Sequence, residues 1–337
     1  MEETPRIAFY DTKPYDRDFF DRHIEGHDLE VRYFESRLSR ESVDLSDGYD
    51  AICLFVHDVV DKEVAAGLAK NGVKLIALRC AGYNNIDFEH LDPSIKVVRV
   101  PAYSPNAVAE FAVTLMLTLN RKTHRAYYRT RDNNFSLMGL VGSDMNGKTV
   151  GVIGTGRIGR LVAQILKGFG MEVLAEDVYP DQKWAKEYGV RYVSKTALYQ
   201  QSDFITLHCP LTDENIYMIN RGSLSQMKPT AVIVNTGRGK LINTVDLLDA
   251  LKNHRLGGAA LDVYEEEEDY FFEDYSSRFL EDDVLARLLT FPNVLITSHQ
   301  AFFTQEALSN IAATTIDNME GFFFRDEVPN EVHPEIV

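Results

Sequence analysis

Several residues in this chain stand where side chains could do chemistry. Gly154, Gly156 and Gly159 form G-x-G-x-x-G directly after the apolar run Val150–Ile153. Arg238 lies between two glycines, just past the apolar run Ala231–Asn235. His299 follows Val294–Thr297, and His208 closes the run that begins at Asp203. Asp262 and the acids Glu265 to Asp269 come at the end of Gly258–Val263 and just beyond it. Each group sits at or just past the end of a strand-like run, where open parallel sheets bind ligands. A guanidinium is a planar fork of donors suited to a carboxylate. An imidazole is the usual general acid and base near neutral pH. Among Glu265, Glu266, Glu267 and Glu268, residue type alone does not choose. His208 reads as a residue lining a ligand, since its strand lies well away in sequence from the Arg238 loop. No histidine–carboxylate cluster has the spacing of metal ligands, so no metal is expected.

The glycine stretch carries a further pattern. Leu161, Val162, Ile165 and Leu166 recur at helical spacing, and Met171–Ala175 is a second strand-like run ending on Glu176 and Asp177. Strand, glycine turn, helix, strand and acid in that order form a dinucleotide fingerprint. Gly154 permits the tight turn, Gly156 lets backbone approach a pyrophosphate, and Gly159 lets the helix lie close to the sheet. Thr155, Arg157 and Ile158 complete the loop. Asp177 stands where a carboxylate accepts hydrogen bonds from an adenosine ribose. Two acids with no arginine nearby would repel a 2′-phosphate, which predicts NAD over NADP. Gly142 to Thr149 matches the P-loop pattern G-x-x-x-x-G-K-[ST]. A P-loop follows a strand and opens a helix, whereas this stretch feeds a strand, so ATP binding is rejected.

The elements that must position these groups alternate strand and helix. Arg6–Tyr10, Leu29–Phe34, Ala51–Val56, Val73–Leu78 and Ile95–Val100 read as strands, with helices expected over Asp16–Asp28 and Asp61–Asn71. After the fingerprint come strands over 190–193, 203–208, 231–235, 258–263 and 294–297, and a helical tail over about 300–326. This is an α/β protein with parallel sheets covered on both faces. One long helix from Ser104 to about Asp132, apolar on nearly every side over Ala107–Leu119, is expected to join two such units. The length of 337 residues agrees with two domains. A net charge of −16 argues against nucleic acid or an anionic membrane as partner. Three scattered cysteines, no signal-like N-terminus and no run of 18 apolar residues suit a cytoplasmic protein.

Segments RCAGYNNID (79–87), VPAYSPNAVAE (100–110), GVIGTGRIG (151–159), LHCPLT (207–212), VNTGRG (234–239), LDVYEEE (261–267) and NVLITSHQAF (293–302) resemble the NAD-dependent D-2-hydroxyacid dehydrogenases along nearly the whole chain. KLIALRCAGYNNID, LNRKTHRAYYRTRDNNFSL and DYFFEDYSSRFLEDDVLARL are similar to the fermentative lactate-type branch, the last as an insertion. The resemblance implies a flavodoxin-like substrate-binding domain of residues 1–102 plus 300–337. A Rossmann NAD domain of residues 103–299 would be inserted in it, with a cleft between the two. It implies Arg238, Glu267 and His299 as the catalytic trio, with Glu267 favouring the imidazolium. The cofactor would meet Gly154 to Gly159, Asp177, His208, Cys209, Pro210, Thr236, Gly237 and Asp262, the last facing the nicotinamide carboxamide. The substrate would meet Ala81, Gly82, Tyr103, Arg238, His299 and Phe302. Pyruvate and D-lactate are the expected pair, and a homodimer or homotetramer is expected, with the Ala107–Arg131 region near a subunit contact. Phe111 and Gln300 depart from common family residues; the first is read as helix packing, and the second matches the lactate-type branch.

Two other readings compete. A bulkier 2-oxo acid such as phenylpyruvate or 2-oxoisocaproate would keep the chemistry, but Phe55, Tyr83, Tyr103 and Phe302 would crowd a small pocket. Some members of the family serve as NAD(H)-sensing binding proteins without catalysis, a reading the acidic balance disfavours.

Overall fold

Every strand-like run named above forms a strand in the computed structural model, which describes residues 4–267 and 270–332. The strands fall in two compact units, one running to Ser104 and resuming at Phe303, the other spanning Pro105–Phe302.

The first unit contains β1 (Arg6–Phe9), α1 (Pro14–Ile24), β2 (Glu30–Tyr33), β3 (Ala51–Leu54), α2 (Lys62–Lys70), β4 (Leu75–Leu78) and β5 (Lys96–Val98). The sheet order is β2-β1-β3-β4-β5 and every pair is parallel. Parallel strands need covered faces, and β3 and β4 are accordingly apolar at every position. Proline opens α1, and Asp61 caps α2 by accepting from Val64 N–H at 3.0 Å. The chain's last helix, Gln305–Phe324, packs on α1 and β4. His23 Nε2 meets Ser309 Oγ at 2.9 Å and His27 Nδ1 meets Glu320 Oε1 at 2.6 Å. Glu331 then bridges Val98 antiparallel and covers the β5 edge.

The core of this unit holds a charge that the apolar run KLIALRC does not announce. Arg79 is 2% exposed, directly after β4. Its guanidinium lies 4.5 Å from the Phe9 ring and 4.8 Å from the Phe55 ring. Nη2 donates to Asp11 O at 2.8 Å, and Nε is 3.5 Å from Asp16 Oδ1. Asp58 is buried close by and accepts from Leu38 and Phe55 N–H at 2.7 and 2.6 Å. Burial lifts Asp58 to about 6 and raises Asp16, while the Arg79 charge pulls both back. Phe55, expected to crowd a pocket, is buried with its ring against this guanidinium.

The second unit opens with two helices where one was expected. α3 (Pro105–Arg121) and α4 (Thr123–Arg131) are separated by Lys122 at φ +53. A left-handed residue cannot continue a right-handed helix, so the chain turns there. α3 buries Ala107, Val108, Ala109, Ala112, Val113, Leu115, Met116 and Leu119 but leaves Glu110 and Thr114 exposed, so one side is free. Phe111 packs against that core. Then come β6 (Thr149–Ile153), α5 (Arg157–Gly168), β7 (Glu172–Glu176), α6 (Gln182–Tyr188), β8 (Val190–Tyr192), α7 (Lys195–Gln201), β9 (Phe204–Leu207) and α8 (Arg221–Leu224). β10 (Val232–Asn235), α9 (Thr244–Lys252), β11 (Gly258–Leu261), α10 (Asp283–Leu289) and β12 (Val294–Ile296) complete it, before α11 (Gln305–Phe324) in the first unit. The sheet runs β12-β11-β10-β9-β6-β7-β8, all parallel. The chain order reverses between β6 and β9, the switch point where such sheets bind dinucleotides.

Candidate active site

The glycine loop occupies that switch point. Gly154 has φ +90, and a Cβ there would meet Cys209 N at 2.5 Å. A Cβ on Gly159 would sit 1.9 Å from Gly154 O, so α5 can approach the loop only without a side chain. At Gly156 a Cβ would meet nothing within 4 Å. That open space adjoins the first turn of α5, where Gly156 and Arg157 are exposed, Ile158 is half-buried, and no side chain caps the helix. Uncapped N–H groups beside an open glycine fit a pyrophosphate. Thr236, just past β10, is buried and its Oγ1 has no hydrogen-bond partner among the described residues, a donor that a ligand could satisfy. Gly237 follows, its N–H held by Asn235 Oδ1 at 3.0 Å. These features fit NAD.

Asp177 follows β7 and accepts from Thr155 N–H at 2.6 Å, Thr155 O–H at 3.0 Å and Tyr179 N–H at 2.8 Å. Burial pushes its carboxyl up, but these hydrogen bonds and the charge of Arg160 outweigh it and hold it below the usual range. The expectation of no nearby arginine is therefore corrected. Arg160, on α5, is paired with Asp181 at 3.0 Å, donates to Thr155 O at 2.9 Å, and lies 5.0 Å from the Trp184 ring. Sequence separation hid it, because one helical turn after Gly156 brings position 160 back beside the loop.

The three catalytic candidates all belong to the second unit. Glu267 Oε1 lies 2.8 Å from His299 Nδ1, and its Oε2 accepts from Tyr264 N–H at 2.9 Å. Burial raises the Glu267 carboxyl, yet the hydrogen bond and charge of His299, the Tyr264 N–H and the Arg238 charge bring it below its ordinary value. Among the described acids of this run, geometry thus singles out Glu267; Glu268 lies outside the described residues. Glu265 instead accepts from Thr244 N–H and O–H at 3.1 and 2.6 Å and from Tyr217 O–H, which pins the loop to α9. His299 has φ +53, an unusual backbone state for a non-glycine residue. Its N–H donates to Asp262 O at 2.7 Å, and the Phe272 ring lies 6.0 Å away at 31°. Nε2 has no hydrogen-bond partner among the described residues. Arg238 is exposed, with Nη1 on Gly237 O at 2.9 Å and its own carbonyl held by Asn235 Nδ2 at 2.9 Å. A Cβ on Gly239 would sit 2.0 Å from Tyr264 O, so the Arg238 loop lies against the turn that leads to Glu267.

Other expected site residues have their own partners. Asp262 is fully buried. Its carboxylate accepts from Thr297 O–H at 2.5 Å, Gln300 N–H at 2.9 Å and Ala301 N–H at 2.8 Å, which fixes the turn that carries His299. Asp262 and Asn235 lie in the segments LDVYEEE and VNTGRG, but residue type alone does not announce these positioning tasks, nor that of Phe272. His208 Nε2 is 2.8 Å from Thr206 Oγ1, and burial pushes its imidazole down to about 4, so it is neutral at physiological pH. Cys209 Sγ lies 3.8 Å from Met218 Sδ, and Pro210 is exposed with its carbonyl on Asn215 Nδ2 at 2.7 Å. Phe302 is buried. In the first unit, Ala81, Gly82 and Tyr83 follow β4, and their N–H groups have no hydrogen-bond partner among the described residues. Arg99 donates to Ala81 O at 2.9 Å, and Tyr103 O accepts from Asn310 Nδ2 at 2.7 Å. Asp87, Glu89 and His90 do bring ligand-type atoms within 4.8 Å, contrary to the reading of spacing. They form a solvent-facing turn whose pairing of His90 Nδ1 with Asp87 Oδ2 at 2.8 Å accounts for it.

A doubly wound sheet with this glycine loop, an acid at the ribose position and a His–Glu pair beside an arginine defines a dinucleotide-dependent dehydrogenase. Residues 113–301 match the family described as D-isomer specific 2-hydroxyacid dehydrogenase, NAD binding domain. The D-lactate dehydrogenase of Escherichia coli (strain K12) is 49% identical over 328 residues, 97% of this chain and 99% of that protein. A solved structure described as the pyruvate reductase of Chlamydomonas reinhardtii superposes with TM-score 0.93 at 42% identity, covering 97% of this chain and 99% of the other. The NAD-complexed D-isomer specific 2-hydroxyacid dehydrogenase of Lactobacillus delbrueckii ssp. bulgaricus gives TM-score 0.82 at 30% identity, covering 97% and 100%. The chain belongs to the D-2-hydroxyacid dehydrogenase family and is an NAD-dependent oxidoreductase.

Proposed function

We propose that this protein reduces pyruvate to D-lactate with NADH, reversibly, with Arg238, Glu267 and His299 as its catalytic residues. The observation that carries the reading is the His299–Glu267 pair at 2.8 Å, with His299 Nε2 left without a partner among the described residues and Arg238 close enough for its charge to act on Glu267. When bound, NADH supplies the hydride that the keto carbon accepts. Arg238 holds the substrate carboxylate through its fork of donors and stabilises the charge growing on the carbonyl oxygen. His299, protonated, donates Nδ1–H to Glu267, which leaves the Nε2 proton for that oxygen. The imidazole that results takes a proton back from solvent, so one proton and one hydride are consumed for each lactate formed. In the other direction neutral His299 accepts the hydroxyl proton. Gly82 and Tyr103 belong to the proposal as substrate contacts; the open N–H groups of Ala81, Gly82 and Tyr83 suit a carboxylate.

The test is chiral analysis of the product from pyruvate and NADH, with a panel of 2-oxo acids. D-lactate, with kcat/KM for pyruvate above that for phenylpyruvate and 2-oxoisocaproate, is expected. A higher kcat/KM for phenylpyruvate would overturn the substrate, and no NADH oxidation with any 2-oxo acid would overturn the enzyme. The reading includes self-association as a homodimer or homotetramer and a cytoplasmic setting. No helix among the described residues is long and apolar enough to cross a membrane, and no disulfide links Cys53, Cys80 or Cys209 among the described residues, which suits a reducing compartment.

A further inference from the structure

The surroundings of Asp177 form one connected network. Asp181 N–H donates to Tyr192 Oη at 3.3 Å, Tyr192 Oη lies 2.7 Å from Thr155 Oγ1, and Thr155 O–H donates to Asp177 Oδ2 at 3.0 Å. Since the Thr155 proton goes to Asp177, the Tyr192 proton goes to Thr155, and every donor points towards Asp177. Such a polarised chain strengthens each of its bonds and fixes the last acceptor as an anion. Asp181 does a second job. Its Oδ1 caps α6 by accepting from Lys183 and Trp184 N–H at 3.1 and 3.0 Å, and its Oδ2 holds Arg160 Nη2 at 3.0 Å. Arg160 is also tied by Nε to Thr155 O, while Nη1 has no partner among the described residues and the side chain is partly exposed. A guanidinium thus stands near enough to Asp177 for its charge to act on that carboxylate, held back by another carboxylate, Asp181.

We propose that Arg160 is a specificity-determining residue for the adenosine end of the cofactor: a latent ligand for a 2′-phosphate, kept from that role by its pairing with Asp181 and by the carboxylate of Asp177. Arginine is suited to such a group because its fork matches phosphate oxygens. NAD is favoured for two reasons that act together. The Asp177 anion repels a 2′-phosphate, and Arg160, a cation whose charge acts on Asp177, is already spent on Asp181. Removing Asp177 alone leaves Arg160 restrained. Removing the restraint as well makes the site attractive to the phosphate.

Binding is measured by calorimetric titration with NAD+ and NADP+ and no substrate, so turnover plays no part. Fluorescence of Trp184, the chain's single tryptophan and the ring beneath Arg160, is a second readout. The wild-type protein is expected to bind NAD+ much more tightly. Asp177→Ser should bring the two affinities together. Adding Asp181→Asn should strengthen NADP+ alone by a further roughly tenfold, the worth of a freed charged donor. Arg160→Gln in that double variant should abolish the NADP+ gain and leave NAD+ affinity within about twofold. The proposal is overturned if the NADP+ gain survives Arg160→Gln, or if Asp181→Asn shifts both cofactors equally. Should the glutamine variant not fold, Arg160→Lys takes its place. It keeps the charge but loses the fork, so the NADP+ gain should shrink while NAD+ affinity holds; an unchanged gain overturns the proposal.

Discussion

In the proposed mechanism Glu267 acts through His299, because its two oxygens are spent on the imidazole Nδ1 and on Tyr264 N–H. Replacing it with glutamine keeps the shape but loses the charge that holds an imidazolium. Glu267→Gln should lower kcat for pyruvate by about 100-fold with KM nearly unchanged, within the range of general acid catalysis. A loss expressed only in KM would remove Glu267 from the proton-transfer step. His299→Gln should cost more, since the donor itself is gone, and near-wild-type turnover would show another acid. Arg238 has the opposite signature. Its planar fork is replaced in Arg238→Lys by a point charge on a flexible stem, so KM for pyruvate should rise at least about tenfold while the fold is kept. Melting curves matching the wild type would show that this loss is one of recognition.

The strands were legible because a buried parallel strand is an apolar run with a polar residue past its end, and the candidate site residues follow such ends, Glu267 in the loop beyond β11. The helices α6, α7 and α10 were not. Each has seven residues and is begun by a cap, Asp181, Ser194 or Asp282, whose side chain accepts from the first-turn N–H groups. Over so short a stretch the apolar period gives little signal. The contacts between loops were equally silent in sequence. Gly239 reads as one more flexible glycine, yet it is where the Arg238 loop touches Tyr264 O. Gly239→Ala should therefore separate Arg238 from Glu267, lowering kcat/KM by more than about tenfold for a stability loss of about 1–3 kcal/mol. An active, stable alanine variant would show that the loop gives way freely. Asp203 ties the starts of β6 and β9 by accepting from Thr149 N–H and Lys228 Nζ, both at 2.9 Å. Burial raises its carboxyl, but these bonds and the lysine charges lower it overall. A depressed carboxylate adds stability above its unfolded pKa of about 3.9, and that stability is lost as pH falls through the lower folded value. Asp203→Asn should thus destabilise by about 1 kcal/mol at pH 7, allowing for partial exposure, with the gap closing as pH drops below about 4. Urea titrations at pH 7 and pH 3.5 measure it; a gap that does not shrink with acid contradicts the linkage.

At the scale of the molecule, the sequence conveys the number of sheets but not the duties of surfaces. The stretch after α3 is polar enough to pass as an ordinary helix and loop, and only the coordinates show what it leaves uncovered. Tyr127, Tyr128, Phe135, Leu137, Met138 and Val141 are each more than half exposed, though they lie within fifteen residues of one another. Scattered exposed apolar residues need no explanation, whereas a run of them along one segment marks a contact surface. The same stretch is basic, with Arg121, Lys122, Arg125, Arg129 and Arg131 close together in a chain of net charge −16. A basic, apolar arm on an acidic protein is complementary to the rest of its own surface, which is the complementarity the proposed homo-oligomer requires. The pair Leu137→Asp and Met138→Asp places charge in the centre of that arm without touching any buried position. Sedimentation at micromolar concentration should give a dimer or tetramer for the wild-type protein and a monomer for the double variant, with melting temperature retained in the monomer or lowered only by the lost association. A wild-type protein that sediments as a monomer, or a variant that stays assembled, would take the subunit contact away from this arm.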